Sequence, residues 1–154
     1  MYQFITFLRM VALAMTFLVG NSLMALTDEQ EKASLLVANN WIKLVDERRY
    51  ADSWSQASPV FQMTIPQKEW VSYLDSIRKP LGAVKARTVA DQRPAMNPVG
   101  LAAGDYMVIV YDTTFTNSSH ADELLTLSLG NDGKWRVLTY LISMQPASTS
   151  TSPK

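Results

Sequence analysis

The chain reads as an α+β domain with its helices first and a curved antiparallel sheet of about four strands after them. Three observations predict this. Apolar residues recur at spacings of three and four as far as Ile77, and after Gly82 they alternate instead. The alternating runs lie in one block, interrupted by turn-forming residues, which is the order of an α+β chain and not of alternating βαβ units. A length of 154 residues allows one domain of ordinary size.

The first 25 residues read as a signal peptide. Arg9 precedes the apolar run MVALAMTFLV, Gly20-Asn21-Ser22 breaks it, and Ala25 offers a small residue for cleavage just before the charged TDEQEK. Ten to fifteen apolar residues, roughly, suit a signal-peptide core better than a membrane span. The expected address is the periplasm or the exterior. Anchoring by an uncut leader is the alternative, because the segment before Arg9 is itself apolar and Leu23 is a poor residue at a cleavage site.

The single domain is expected over 26–145. Residues 28–49 form an amphipathic helix with Leu35, Ala38, Trp41, Ile42 and Val45 as its stripe, acidic at its start and ending in Arg48-Arg49. YADSWSQASPVF gives a short second helical piece, with Pro59 as a break. A third opens with Thr64 and Gln67 at capping-box spacing, buries Trp70, Leu74 and Ile77, and stops at Pro80 and Gly82. Strands are expected over about 84–92, 106–116, 121–129 and 134–143, with a loop at 93–105. The tail, 146–154, has nothing to bury and reads as disordered.

Two hairpin loops set a register. Asn131-Asp132-Gly133 as a three-residue loop places Leu129 opposite Trp135 and Leu127 opposite Val137. Ser118-Ser119-His120 as the other places Phe115 opposite Glu123 and Tyr111 opposite Leu127. One face then holds Tyr111, Phe115, Leu125, Leu127, Leu129, Trp135, Val137 and Leu141, with Glu123 among them.

Composition excludes several functions. There is no cysteine, so no disulfide, thiolate metal site or lipidated cleavage-site thiol is available. Losing Arg9 with the leader leaves 13 basic against 14 acidic residues, without a basic run. Nucleic acid is not an expected partner, nor is a membrane surface unless the leader stays uncut. The one histidine, His120, stands in SSHADE beside Asp122 and Glu123. In the expected register it occupies an exposed hairpin tip, while Asp122 and Glu123 point to opposite faces. No metal site or catalytic triad follows, and no cofactor is expected.

The segments LDSIRKPLGAVKAR, GDYMVIVYDTTF, ADELLTL and DGKWRVLTYLI resemble the domain of unknown function family 4019, whose members are small exported bacterial proteins. The matching residues are Trp41, Asp46, Tyr50, Ser53-Trp54, Arg78, Pro80-Leu81-Gly82, Arg87, Gly104, Tyr106, Tyr111, Thr113, Phe115, Glu123, Asp132-Gly133, Trp135-Arg136-Val137 and Tyr140. Thr139 departs from the pattern, where a glycine precedes the tyrosine. The resemblance covers nearly the whole mature chain. It implies a cone similar to nuclear transport factor 2-like or cystatin-like folds, and it implies no activity.

Glu123 is the residue on which chemistry would centre. A carboxylate on an apolar sheet face must be paired, neutralised or at a pocket mouth. Arg78 and Arg87 are its candidate partners, either to hold the fold or to form a polar ligand site with Tyr111 and Trp135. Acid/base catalysis by Glu123 in a cone-shaped cavity is the enzymatic alternative, disfavoured because an arginine-paired carboxylate is a poor base near neutral pH. Trp41, Trp54, Trp70 and Trp135 read as core. Asp46 is expected to accept hydrogen bonds from the turn leading to Tyr50. The opposite sheet face is expected to carry Val108, Val110, Leu124, Leu138, Tyr140 and Ile142, an apolar patch fit for a homodimer or a protein partner, or for cover by the loop at 93–104. The expected function is binding or assembly without catalysis.

Overall fold

A computed structural model describes residues 26–96, 98 and 100–144. The expected leader and tail lie outside them. Among the described residues the order is α1 (Asp28–Asp46), α2 (Tyr50–Gln56), α3 (Pro59–Thr64), α4 (Gln67–Arg78), then β1 (Val84–Met96), β2 (Asp105–Phe115), β3 (Ser118–Leu129) and β4 (Trp135–Met144). The strands form one antiparallel sheet in the order β1-β2-β3-β4, so the chain is α+β with its helices first. None of these helices is long and apolar enough to cross a membrane.

Helix α1 begins at a capping box. The Thr27 hydroxyl accepts from the Gln30 amide, and the Gln30 side chain accepts from the Thr27 amide. Thr64 and Gln67 do not form one. Thr64 ends α3, where its hydroxyl donates to the Val60 carbonyl, and Pro66 stands at the start of α4 without a side-chain cap. The expected second helical piece is two helices, because Pro59 starts α3 instead of merely ending α2, with Ser58 capping it. Strand β1 continues through Met96, four residues beyond the expected end, because β2 pairs with it along that whole length.

The inner face of the sheet meets the helices in a core of Trp41, Ile42, Val45, Trp70, Leu74, Met107, Ile109, Leu125, Leu127 and Val137. Three of the four indoles are hydrogen-bonded. Trp41 donates to the Ser53 carbonyl at 2.7 Å, Trp70 to the Ser53 hydroxyl at 3.0 Å, and Trp54 to the Ile65 carbonyl at 2.7 Å. Trp135 Nε1 is buried without a partner among the described residues.

The β3–β4 hairpin turns as expected over Asn131-Asp132-Gly133, with Gly133 at φ 72° and Leu129 opposite Trp135. The β2–β3 hairpin turns earlier than expected, at Thr116-Asn117, and pairs Tyr111 with Glu123 and not with Leu127. A contact far away in sequence holds that turn. Thr116 N donates to Ala83 O, Asn117 N donates to Leu81 O, and the Asn117 side chain donates to Pro80 O. From Tyr106 to Thr113 the displacement is four residues, an even number, so these side chains keep their faces; a bulge follows before Phe115 pairs with Ser118. His120 is therefore not at a tip. It lies in β3, exposed, its Nδ1 3.5 Å from Asp112 Oδ1.

Strand β4 breaks the alternation. Leu127 pairs with Val137 but Thr126 pairs with Thr139, so Leu138 is the extra residue of a bulge. Beyond it the faces exchange. Tyr140 and Ile142, expected outside, point inward opposite Leu125 and Glu123; Leu141, expected inside, points outward and is 58% exposed. Leu138 itself is buried at the bulge.

Gly82, at φ 78°, closes the link from α4 to β1, and a Cβ built on it would lie 1.9 Å from Thr116 Oγ1. Gly133 has a similar φ but open space around it. Gly133→Ala should therefore lose only the left-handed preference, about 1–2 kcal/mol. Gly82→Ala should lose measurably more, because the β2–β3 turn must also shift. Urea unfolding of the two variants side by side measures the difference.

Candidate functional site

Four charged side chains from four separate elements meet beneath the inner face. Asp46 ends α1, Arg78 ends α4, Arg87 lies on β1 and Glu123 on β3. They link alternately into a closed ring. Arg78 reaches Glu123 Oε1 at 2.6 Å and Asp46 Oδ1 at 2.5 Å. Arg87 reaches Glu123 Oε2 at 2.8 Å and grips Asp46 with both terminal nitrogens, at 2.6 and 2.9 Å. Two cations and two anions balance, which is what permits Glu123 to be fully buried and Arg78 to be 5% exposed.

Neutral groups complete the cluster. The Tyr140 hydroxyl donates to Glu123 Oε1 and the Thr113 hydroxyl to Oε2, each at 2.6 Å. Each oxygen of Glu123 thus holds one guanidinium and one hydroxyl, and the carboxylate has no vacant lone pair facing solvent. The Arg78 guanidinium stacks 4.6 Å from the centre of the Phe115 ring, and that of Arg87 lies 5.9 Å from the Tyr111 ring. Burial works against the charge of Arg87, but hydrogen bonding and attraction from Asp46 and Glu123 outweigh it and hold its pKa above the ordinary value. Burial, and next the charge of Glu123, push the Tyr140 hydroxyl well above its ordinary pKa. Burial likewise pushes Tyr111 up to about 12.

Both arginines expected near Glu123 are there, and each pairs with it. Asp46 is instead the fourth corner of the ring; the turn leading to Tyr50 is held by backbone bonds, Arg48 N to Val45 O and Arg49 N to Leu44 O. An aspartate on the stripe side of a helix, at the negative end of its dipole, is a legible sign that cations must meet it. Tyr140 was not expected inside, because nothing in the sequence marks the bulge that turns it inward. Tyr111 borders the ring and donates to Asn39 Oδ1 at 2.7 Å. Trp135 belongs to the other end of the inner face and has no contact with the ring, so the five expected ligand-site residues do not form one pocket. Among the described residues no group of three or more side chains is placed to hold a metal ion.

The outer face carries Val108, Val110 and Leu124, all partly exposed, with Leu141 in place of Tyr140 and Ile142. Val110, Leu124 and Leu141 pair in succession into one apolar row across three strands. The connection before β2 reaches this face, and its Leu101 borders a cavity with Leu138 and Leu141. Tyr106 is buried there, and its hydroxyl donates to Ala102 O at 2.6 Å.

A family model described as a protein of unknown function (DUF4019) matches residues 37–140. No curated protein matches the chain. The matched segment contains all four corners of the ring together with Thr113 and Tyr140.

Glu123→Gln removes one charge from a closed, buried ring and leaves Arg78 and Arg87 to share Asp46 as their anionic partner. It should cost about 3–5 kcal/mol, read by urea unfolding, while Glu123→Gln combined with Arg78→Met should cost less than the sum of the two singles. The tyrosines set an alkaline limit. A pKa raised on folding gives stability that is whole below the unfolded value of 10.0 and is lost as pH rises toward the folded value, about 12 for Tyr111. The tyrosine contribution to the urea midpoint should hold to about pH 10 and fall above it, and Tyr111→Phe should make that fall shallower.

Proposed function

The chain belongs to the DUF4019 family of proteins of unknown function, and we propose that it is an exported, non-catalytic assembly domain that pairs with a second copy through the outer face of its sheet. One contrast carries the reading. The charged cluster is saturated by its own members, while the row Val110, Leu124 and Leu141 stays partly open to solvent among the described residues. An acid/base role for Glu123 finds no support in this arrangement, since both oxygens are occupied and no open cavity meets them.

A second copy is favoured over other occupants by the distribution of charge. Asp112 and Asp122 stand at one end of the outer face, and Arg93 and Arg136 at the other. A two-fold axis lying across the strands would set unlike ends against each other around the shared apolar row, as an isologous interface requires. Arg93 and Arg136 lean on Asp91 and Asp132 at the surface, where such pairs are weak and readily exchanged. Export rests on the leader sequence, with the periplasm or the exterior as the address.

Native mass spectrometry of the protein taken from its own cells tests both parts. The expected result is a dimer of chains lacking the leader, and Leu141→Asp should return it to monomer while changing the unfolding free energy, measured at dilutions where the parent is also monomeric, by no more than about 0.5 kcal/mol. A monomer at every concentration, or a dimer indifferent to Leu141→Asp, would count against the outer face.

A further inference from the structure

A cavity of about 400 Å³ opens beside the ring, on the helix side of the sheet, walled by the end of α1, by Tyr50 and by the link from α4 to β1. That volume is within the range of small-molecule sites. Its polar lining includes Lys43, Asp46, Glu47, Arg48, Tyr50 and Arg78. Most of these charges are already answered. Asp46 is held by the two arginines, Arg78 is held by Asp46 and Glu123, and Glu47 lies 3.7 Å from Lys43 and 3.4 Å from Arg49.

Two groups remain unanswered. Tyr50 is 5% exposed and lines the cavity, and its hydroxyl, not itself a buried atom, opens to the cavity without a protein partner among the described residues. Burial raises the pKa of that hydroxyl while the charges of Arg78 and then Arg48 lower it, which puts both cations within electrostatic reach of it. Arg48 is the second. It has no ion-pair partner among the described residues, and it is the only non-glycine among them with positive φ, at 58°. It stands where a helix-ending Schellman motif ordinarily has glycine, with Arg48 N bonded to Val45 O and Arg49 N to Leu44 O. A side chain kept in a conformation that glycine adopts freely points to a use for the side chain.

We propose that this cavity binds a small molecule through an oxyanion, a carboxylate or a phosphate, held by Arg48 and by the Tyr50 hydroxyl. Arg48 supplies the uncompensated charge and a planar donor pair. Tyr50 supplies a donor that is fixed in place before the ligand arrives. The site is independent of the outer sheet face and does not rest on pairing between copies.

Protein expressed from the full chain, in the form the cell leaves it, is titrated calorimetrically with sodium phosphate and separately with sodium succinate, against sodium chloride at equal ionic strength. Saturable binding of either anion is expected, and the one that binds identifies the group. Arg48→Gly should raise the melting temperature of the free protein, because glycine relieves the backbone, while weakening the anion roughly tenfold or more. Tyr50→Phe should weaken it roughly three- to tenfold and leave the melting temperature unchanged. Heats no greater than chloride for both anions, or an Arg48→Gly protein that binds as the parent does, would overturn the proposal.

Discussion

One buried carboxylate dictates how this domain is put together. Glu123 sits in the middle of an apolar sheet face, where an unpaired charge would cost several kcal/mol, roughly, and every element near it supplies something to offset that cost. Arg78 and Arg87 neutralise it, Asp46 balances the second cation, and Thr113 and Tyr140 fill the remaining acceptor positions. Because the four corners come from α1, α4, β1 and β3, the ring also fixes where both helix ends meet the sheet. Apolar contacts alone could slide by a residue at small cost. A ring of directed bonds at 2.5–2.9 Å cannot.

The same cluster explains the segment that joins helices to strands. Arg78 must end α4 inside the ring, and Arg87 must return to it from β1. The chain between them turns at Gly82, with Leu81 buried against Phe115 and Ala121 in a small satellite core. The β2–β3 turn then bonds to that link through Thr116 and Asn117. Sequence-distant parts of the fold are thereby tied at one corner of the molecule.

That tie marks where the sequence stops being readable. The class, the helix stripe, the β3–β4 turn and the position of Glu123 among apolar side chains follow from spacing and turn chemistry, and they match. The β2–β3 turn depends on a partner segment more than thirty residues away, so local turn signals pointed to the wrong loop; the inner face survived only because the displacement was even. The β4 bulge is an odd displacement, and it moved Tyr140 from the expected interface into the ring. Nothing in WRVLTYLI marks it, since a bulge is chosen by what the two flanking halves must each pack against. Arg78, Arg87 and Glu123 were legible because burying charge is costly anywhere. Asp46 stands in the pattern too, but on sequence alone a local turn explains it as well as a distant cation does.

The ring bears on the outer face as well. Glu123 and Leu124 are neighbours on β3 and point to opposite sides, so the strand that anchors the ring inside carries the centre of the apolar row outside. β2 is tied in the same way, through Thr113 within and Val110 without. Association costs least when the surfaces that meet are already held in their bound shape, because little side-chain or backbone freedom is then lost. A neutral, saturated cluster has nothing left to offer a ligand, but it holds two central strands rigid from behind. In the proposed pairing its contribution is mechanical: it would make the opposite face of the sheet a fixed platform.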